Sequence, residues 1–162
     1  MPSPTELIKE LRDKTGAGVM ECKKAIEDAR GDLGKAEQLI KQRGLALAEK
    51  KAGREAGQGL IESYVHAGRI GAMIELNCET DFVARTDDFR TLAREIAMQV
   101  AATNPRRISS HESSSDGDVP LLDQPYIREP DKTVQDLLNE TIAKVRENIV
   151  VRRFARFELG GS

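Results

Sequence analysis

The chain has 162 residues, 32% of them charged, and a net charge of −2, a length that suits one good core or two small ones in a well-solvated fold. So slight a charge, with only Tyr64, Tyr126 and four phenylalanines as aromatic residues, argues against an electrostatic nucleic-acid binder with a base-stacking platform. No apolar run approaches the roughly 20 residues that span a bilayer, and the polar start lacks a signal peptide's apolar core, so a cytoplasmic protein is expected.

The charge is unevenly spread. Residues 1–54 carry 12 basic and 9 acidic side chains, and residues 55–162 carry 13 and 18, an imbalance that suits orientation of a protein partner. At the N-terminus, Ser3-Pro4-Thr5-Glu6 has the form of a capping box with proline in the first helical turn, which predicts a helix to about Lys14 with Leu7, Ile8 and Leu11 on one face. Thr15-Gly16-Ala17-Gly18 allows the chain to reverse. A second helix buries Cys22, Ala25, Ile26 and Ala29 and ends at Gly31. Asp32 then caps a third, with Leu33, Ala36, Leu39 and Ile40 inward and an interruption expected at Gly44. Such short helices are not stable singly in water and must pack together. Leu45 to Arg54 reads as a linker with a helical beginning, loosened by Gly53, Gly57 and Gly59.

Beyond it the apolar period changes from helical to alternating. Leu60 to Val65 and Ile70 to Leu76 flank His66-Ala67-Gly68-Arg69 and read as an antiparallel hairpin, with Ile70, Ala72, Ile74 and Leu76 on one face. The run Asn77-Cys78-Glu79-Thr80-Asp81-Phe82-Val83-Ala84-Arg85 leaves that strand, and Thr80 is placed to cap a helical turn starting at Asp81, whose carboxylate suits the turn's positive end. On residue type alone, Phe82 tucks under the sheet as core and Asp81 merely assists the cap. Phe89, Leu92, Ala93, Ile96, Ala97, Val100 and Ala101 form the stripe of an amphipathic helix that Asn104-Pro105 ends. Arg106 to Asp118 is polar and serine-rich and is expected to be a mobile loop, the centre of a polar loop region at about 104–130. Val134, Leu137, Leu138, Thr141, Ile142 and Val145 give a further helix, and Ile149 to Leu159 a last strand joining the hairpin. The fold class is α+β, with two helices expected over one face of a three-stranded antiparallel sheet.

Cys22 and Cys78 form neither a metal cluster nor a short redox pair and read as small buried residues with reduced thiols. His66 falls in the hairpin turn and His111 in the serine-rich loop, so neither suggests a metal or acid-base site, and a Cys78–His66 nucleophile pair has no third group to orient it. Asn139-Glu140-Thr141 matches a glycosylation pattern but falls within a helix, where it should be unused. No Gly-rich loop with a P-loop ending is present, so the chain is not expected to bind GTP itself. No cofactor, no metal and no catalytic residue is expected.

Three separated segments resemble the elongation factor Ts family: the Asn77–Arg85 run, Leu11-Arg12-Asp13-Lys14-Thr15-Gly16-Ala17-Gly18-Val19-Met20-Glu21-Cys22-Lys23-Lys24-Ala25, and Glu147-Asn148-Ile149-Val150-Val151-Arg152-Arg153. The resemblance fades between about Asn104 and Pro130, where family members usually carry a longer, more helical insertion. It implies a ubiquitin-associated-like helical domain with its linker over residues 1–54 and an α+β core and dimerisation domain over 55–162. It further implies a non-enzymatic guanine-nucleotide exchange factor that binds elongation factor Tu, and a homodimer. The family's Asp-Phe wedge, which inserts near the magnesium and phosphate sites of the partner, would fall on Asp81 and Phe82, with Thr80 and Val83 in support. A second contact would fall on Arg12, Val19 and Met20, Val19 standing where the family more usually has methionine. For Val19 and Met20, filling the gap between the first two helices is the competing reading. An adaptor that binds proteins through its helical domain without driving exchange is the alternative function.

Overall fold

In the computed structural model, which describes residues 1–111 and 117–161, the local signals set most helix ends. Helix α1 (Pro4–Thr15) starts with a complete Ser3–Glu6 capping box and stops where Gly16 adopts a left-handed φ of 71°. Helix α2 (Val19–Asp28) follows from Gly18, and Asp32 caps α3 (Leu33–Lys51) through the Lys35 amide. Leu11, Ala17, Cys22, Ala25, Ile26, Ala29, Ala36 and Ile40 form the apolar core of this bundle.

The expected interruption at Gly44 does not occur. Helix α3 runs through it to Lys51, and Gly44 is buried against the sixth helix, where a Cβ would stand 3.5 Å from that of Ala143. Helix propensity along Leu45–Lys51 outweighs the cost of one glycine, which is roughly 1 kcal/mol. Gly59 also departs from expectation. It belongs to strand β1 (Gln58–His66) and pairs with Asn77, so it is a site of close backbone approach rather than a loosener.

Strand β2 (Ile70–Cys78) pairs with β1 and with the last strand, β5 (Val150–Glu158), in the antiparallel order β1-β2-β5. At the hairpin turn both Ala67 and Gly68 have positive φ, and the Arg69 amide donates to the His66 carbonyl at 2.9 Å. Ala72, Ile74, Leu76 and Cys78 face inward as the alternation requires. Asp81–Ala84 forms the single turn α4, and Thr86 caps α5 (Asp87–Thr103), whose seven stripe residues are all buried.

Helix α5 lies on the inner face of the sheet. Helix α6 (Val134–Val145), also expected there, packs chiefly against α3 and α5, so it covers the helix that covers the sheet. Between them a 3-10 turn (Leu121–Asp123) and a two-stranded ribbon, β3 (Pro125–Tyr126) with β4 (Glu129–Thr133), occupy the region expected to be loop. Residues 112–116 of the expected mobile loop lie outside the described residues. Its flanks are fastened to each other, the Leu121 amide donating to the Arg107 carbonyl and the Leu122 amide to that of Ile108, both at 3.0 Å.

Candidate functional site

The wedge candidates stand on a turn built by local hydrogen bonds. The Thr80 hydroxyl oxygen accepts the Val83 N–H at 3.3 Å, and two residues past α4 the Thr86 hydroxyl donates to the Val83 carbonyl at 2.7 Å while capping α5. Val83 and Ala84 are buried below. The turn's geometry leaves Phe82 79% exposed, so it does not tuck under the sheet. Asp81 is also exposed and pairs with Arg85 at 3.2 Å, an exposed ion pair of little energetic weight that leaves the carboxylate available to a partner.

A second layer of polar contacts lies behind the turn. Glu147 Oε1 accepts the Glu79 and Thr80 amides at 3.1 and 3.0 Å, and its Oε2 accepts the Thr80 hydroxyl at 2.8 Å. Glu79 in return accepts the Asn148 amide at 2.7 Å and pairs with Arg54 at 3.0 Å. The Asn148 side-chain amide donates to the carbonyls of Ala52 and Arg54. In the sequence, Glu147 and Asn148 stand out only as the start of a segment that resembles the family. They precede β5, in the turn that follows Arg146, which has a positive φ of 62° at the end of α6. Their contacts join positions 67 to 96 residues apart, for which local sequence carries no signal.

Cys78 is fully buried below the turn, its thiol donating to the Thr80 carbonyl, and burial foremost, then the nearby Glu147 charge, pushes its pKa up to about 11. Burial also raises the pKa of Cys22. His66 pairs with Ile70 at one end of the hairpin and Cys78 with Gln58 at the other, which rules out the nucleophile–base pair. Among the described residues no group of three or more His, Cys, Asp or Glu is arranged to hold a metal ion, and no helix is long and apolar enough to cross a membrane.

In the bundle, Val19 is 47% and Met20 72% exposed at the start of α2, and Arg12 is exposed on α1. The gap-filling reading of Val19 and Met20 therefore fails, the core between α1 and α2 being filled instead by Leu11, Ala17 and Cys22. A cleft of about 550 Å³ opens between the bundle and the β4–α6 segment beside the α3–α6 contact, but its lining, which includes Lys14, Glu21, Lys41, Lys132, Glu140 and Lys144, contains neither candidate set. The two sets are separate surfaces.

Exposed apolar side chains on the Thr80-capped turn and at the start of α2, in a two-core α+β scaffold, are the construction of a protein-contacting factor. A family model described as Elongation factor TS matches residues 36–117 and 79–162. Elongation factor Ts of Thermodesulfovibrio yellowstonii is 47% identical over 194 residues, covering 99% of this chain and 98% of that protein. Its counterparts in Carboxydothermus hydrogenoformans, 46% identical over 96% of this chain and 88% of that protein, and in Thermoanaerobacter sp. strain X514, 47% identical over 96% and 94%, are similarly related. The chain belongs to the elongation factor Ts family, a family of translation elongation factors.

Proposed function

We propose that this protein promotes release of GDP from elongation factor Tu by non-covalent contact, allowing GTP to bind. The carrying observation is that Phe82, a large rigid apolar group, is 79% exposed on a turn whose next two residues are buried. An aromatic side chain held this way is suited to anchor in a partner's pocket at small rotamer cost. A GTPase holds GDP through backbone amides, a lysine and magnesium, so an exchange factor must stabilise a form in which those contacts are misplaced. By linkage, the factor weakens GDP binding to the extent that GDP weakens the factor's own binding. No proton need be transferred, and the nucleotide leaves and enters the partner's site without binding to this chain.

In this reading Phe82 and Asp81 form the wedge, Thr80 and Val83 support it, and Arg12, Val19 and Met20 make a second contact from the helical domain. Residues 1–54 serve as that domain with its linker, and residues 55–162 as the core and dimerisation domain. The protein acts in the cytoplasm as a homodimer. The outer face of the sheet supports this, since Ile61, Val65, Met73 and Phe157 are exposed there on three adjacent strands, a patch of the kind that marks an interface. Sedimentation at micromolar concentration is expected to give a dimer mass, and a monomer would count against that part.

The deciding experiment is release of a fluorescent GDP from elongation factor Tu of the same source, with this protein at substoichiometric concentration. Acceleration at catalytic ratios is the expected result. Binding without acceleration would favour the adaptor reading, for which the exposed Val19 and Met20 of the bundle offer a surface.

A further inference from the structure

The turn that presents Phe82 is too short to hold its own shape, because a four-residue helix fixes many dihedral angles for very few hydrogen bonds. Val83, Ala84 and the Thr86 cap fasten its far side. On the near side, the Glu79 and Thr80 amides and the Thr80 hydroxyl all donate to one carboxylate, that of Glu147. The hydroxyl has a single hydrogen. With that hydrogen given to Glu147 Oε2, the oxygen's lone pairs are left to accept the Val83 N–H and cap the turn.

Glu147 is brought into reach by the left-handed Arg146 at the end of α6, whose amide donates to the Ile142 carbonyl at 2.7 Å. The next residue, Asn148, is buried and binds the Ala52 and Arg54 carbonyls, while Glu79 closes the circuit through the Asn148 amide and Arg54. One polar network therefore spans the wedge turn, the end of α6 and the segment that leaves α3. Charge-assisted hydrogen bonds to backbone amides are directional and short, and a network with every member satisfied favours one geometry.

We propose that Glu147 is a positioning residue for exchange: it sets the direction in which Phe82 is presented and holds that direction relative to the segment joining the core to α3. This rests on the exchange-factor reading above. Because Phe82 itself is largely free of the fold, its direction follows the turn, and a turn held rigid before contact spares the partner the cost of ordering it.

The test compares the full-length wild type with Glu147→Ala, Glu147→Gln and Phe82→Ala, and with Glu147→Ala combined with Phe82→Ala. Thr80→Val serves as a second lesion in the same contact that leaves the carboxylate in place. Three quantities are read: the maximal rate of stimulated GDP release, the factor concentration giving half that rate, and amide hydrogen exchange across residues 79–86. Glu147→Ala is expected to speed amide exchange in that segment and lower the maximal rate about tenfold, with little further loss when Phe82 is also removed. Glu147→Gln, whose amide oxygen still accepts both backbone N–H groups, should recover most of the rate, and Thr80→Val should reproduce the loss in part.

An unchanged maximal rate in folded Glu147→Ala, unchanged protection of residues 79–86, or losses from Glu147→Ala and Phe82→Ala that simply multiply would each overturn the positioning role. Should Glu147→Ala fail to fold, a full maximal rate in Thr80→Val together with unchanged protection of residues 79–86 overturns it equally. A wild type that binds elongation factor Tu without accelerating release overturns the functional reading and this role with it. Defects confined to the variants leave the functional reading intact.

Discussion

Phe82 and Val83 are neighbours in sequence on opposite sides of the protein surface, the first 79% exposed and the second 6%. Thr80 produces this split by capping the turn they share. Truncating each should therefore have opposite consequences. Phe82→Ala is expected to leave the melting temperature nearly unchanged and to slow stimulated GDP release by an interface loss on the order of 2 kcal/mol or more. Val83→Ala opens space in the core below the turn and should cost about 1–3 kcal/mol of stability by chemical denaturation. Loss of stability in Phe82→Ala with normal exchange would reverse the assignment.

Two glycines with a similar look in the sequence should respond with opposite sign. Gly59 has φ 148°, and a Cβ there would stand 2.0 Å from the Leu76 carbonyl oxygen. Gly59→Ala is thus expected to cost more than about 2 kcal/mol or to prevent folding. Gly44 is helical, and its added Cβ would meet that of Ala143 at an ordinary 3.5 Å. Gly44→Ala should stabilise by roughly 0.5–1 kcal/mol, read as a melting temperature higher by a few degrees.

Tyr126 fastens the β3–β4 ribbon to α5 through its hydroxyl, which donates to Glu95, a carboxylate that also receives Arg128. Burial, and then the Glu95 hydrogen bond and charge, hold the phenol well above the ordinary tyrosine range. The fold therefore favours the protonated phenol. That contribution is present below the unfolded value near 10.0 and is lost as pH rises through the folded value. Tyrosinate absorbance from Tyr126 should appear only together with unfolding. Tyr126→Phe should cost about 1–2 kcal/mol and remove that part of the alkaline transition.

Cys78 supplies a second alkaline titration. Its thiol is raised from 9.0 to about 11 in the folded protein, so its contribution is present below pH 9 and fades as pH rises toward 11. Denaturation midpoints measured across pH 8 to 11 should fall less steeply in Cys78→Ala than in the wild type. At pH 8 both buried thiols should react slowly with a disulfide reagent until the protein is unfolded. Rapid labelling of Cys78 in the folded state would contradict its placement.

The helices and the hairpin could be read in the sequence because their determinants lie close together along it. Ser3, Asp32, Thr80 and Thr86 each cap an amide three residues on, and the buried stripe from Phe89 to Ala101 repeats at helical spacing. Strand β4 escaped notice because Glu129-Pro130-Asp131-Lys132-Thr133 has almost none of a strand's composition, and its partner is a two-residue segment. The candidate site was legible as residue types and as a resemblance, with its cap, but whether Phe82 is covered depends on what the rest of the chain brings near it.

By itself, then, the sequence determined where helices start, which face of β2 is buried and which family the chain resembles, since these rest on contacts a few residues long and on matched segments. Tertiary structure alone decided that α3 continues through Gly44 to meet α6, that Gly59 has no room for a side chain, that Phe82 and Met20 stay exposed, and that Glu147 fastens the wedge turn. Each of these depends on residues far apart in the chain that only chain closure brings within a few ångströms.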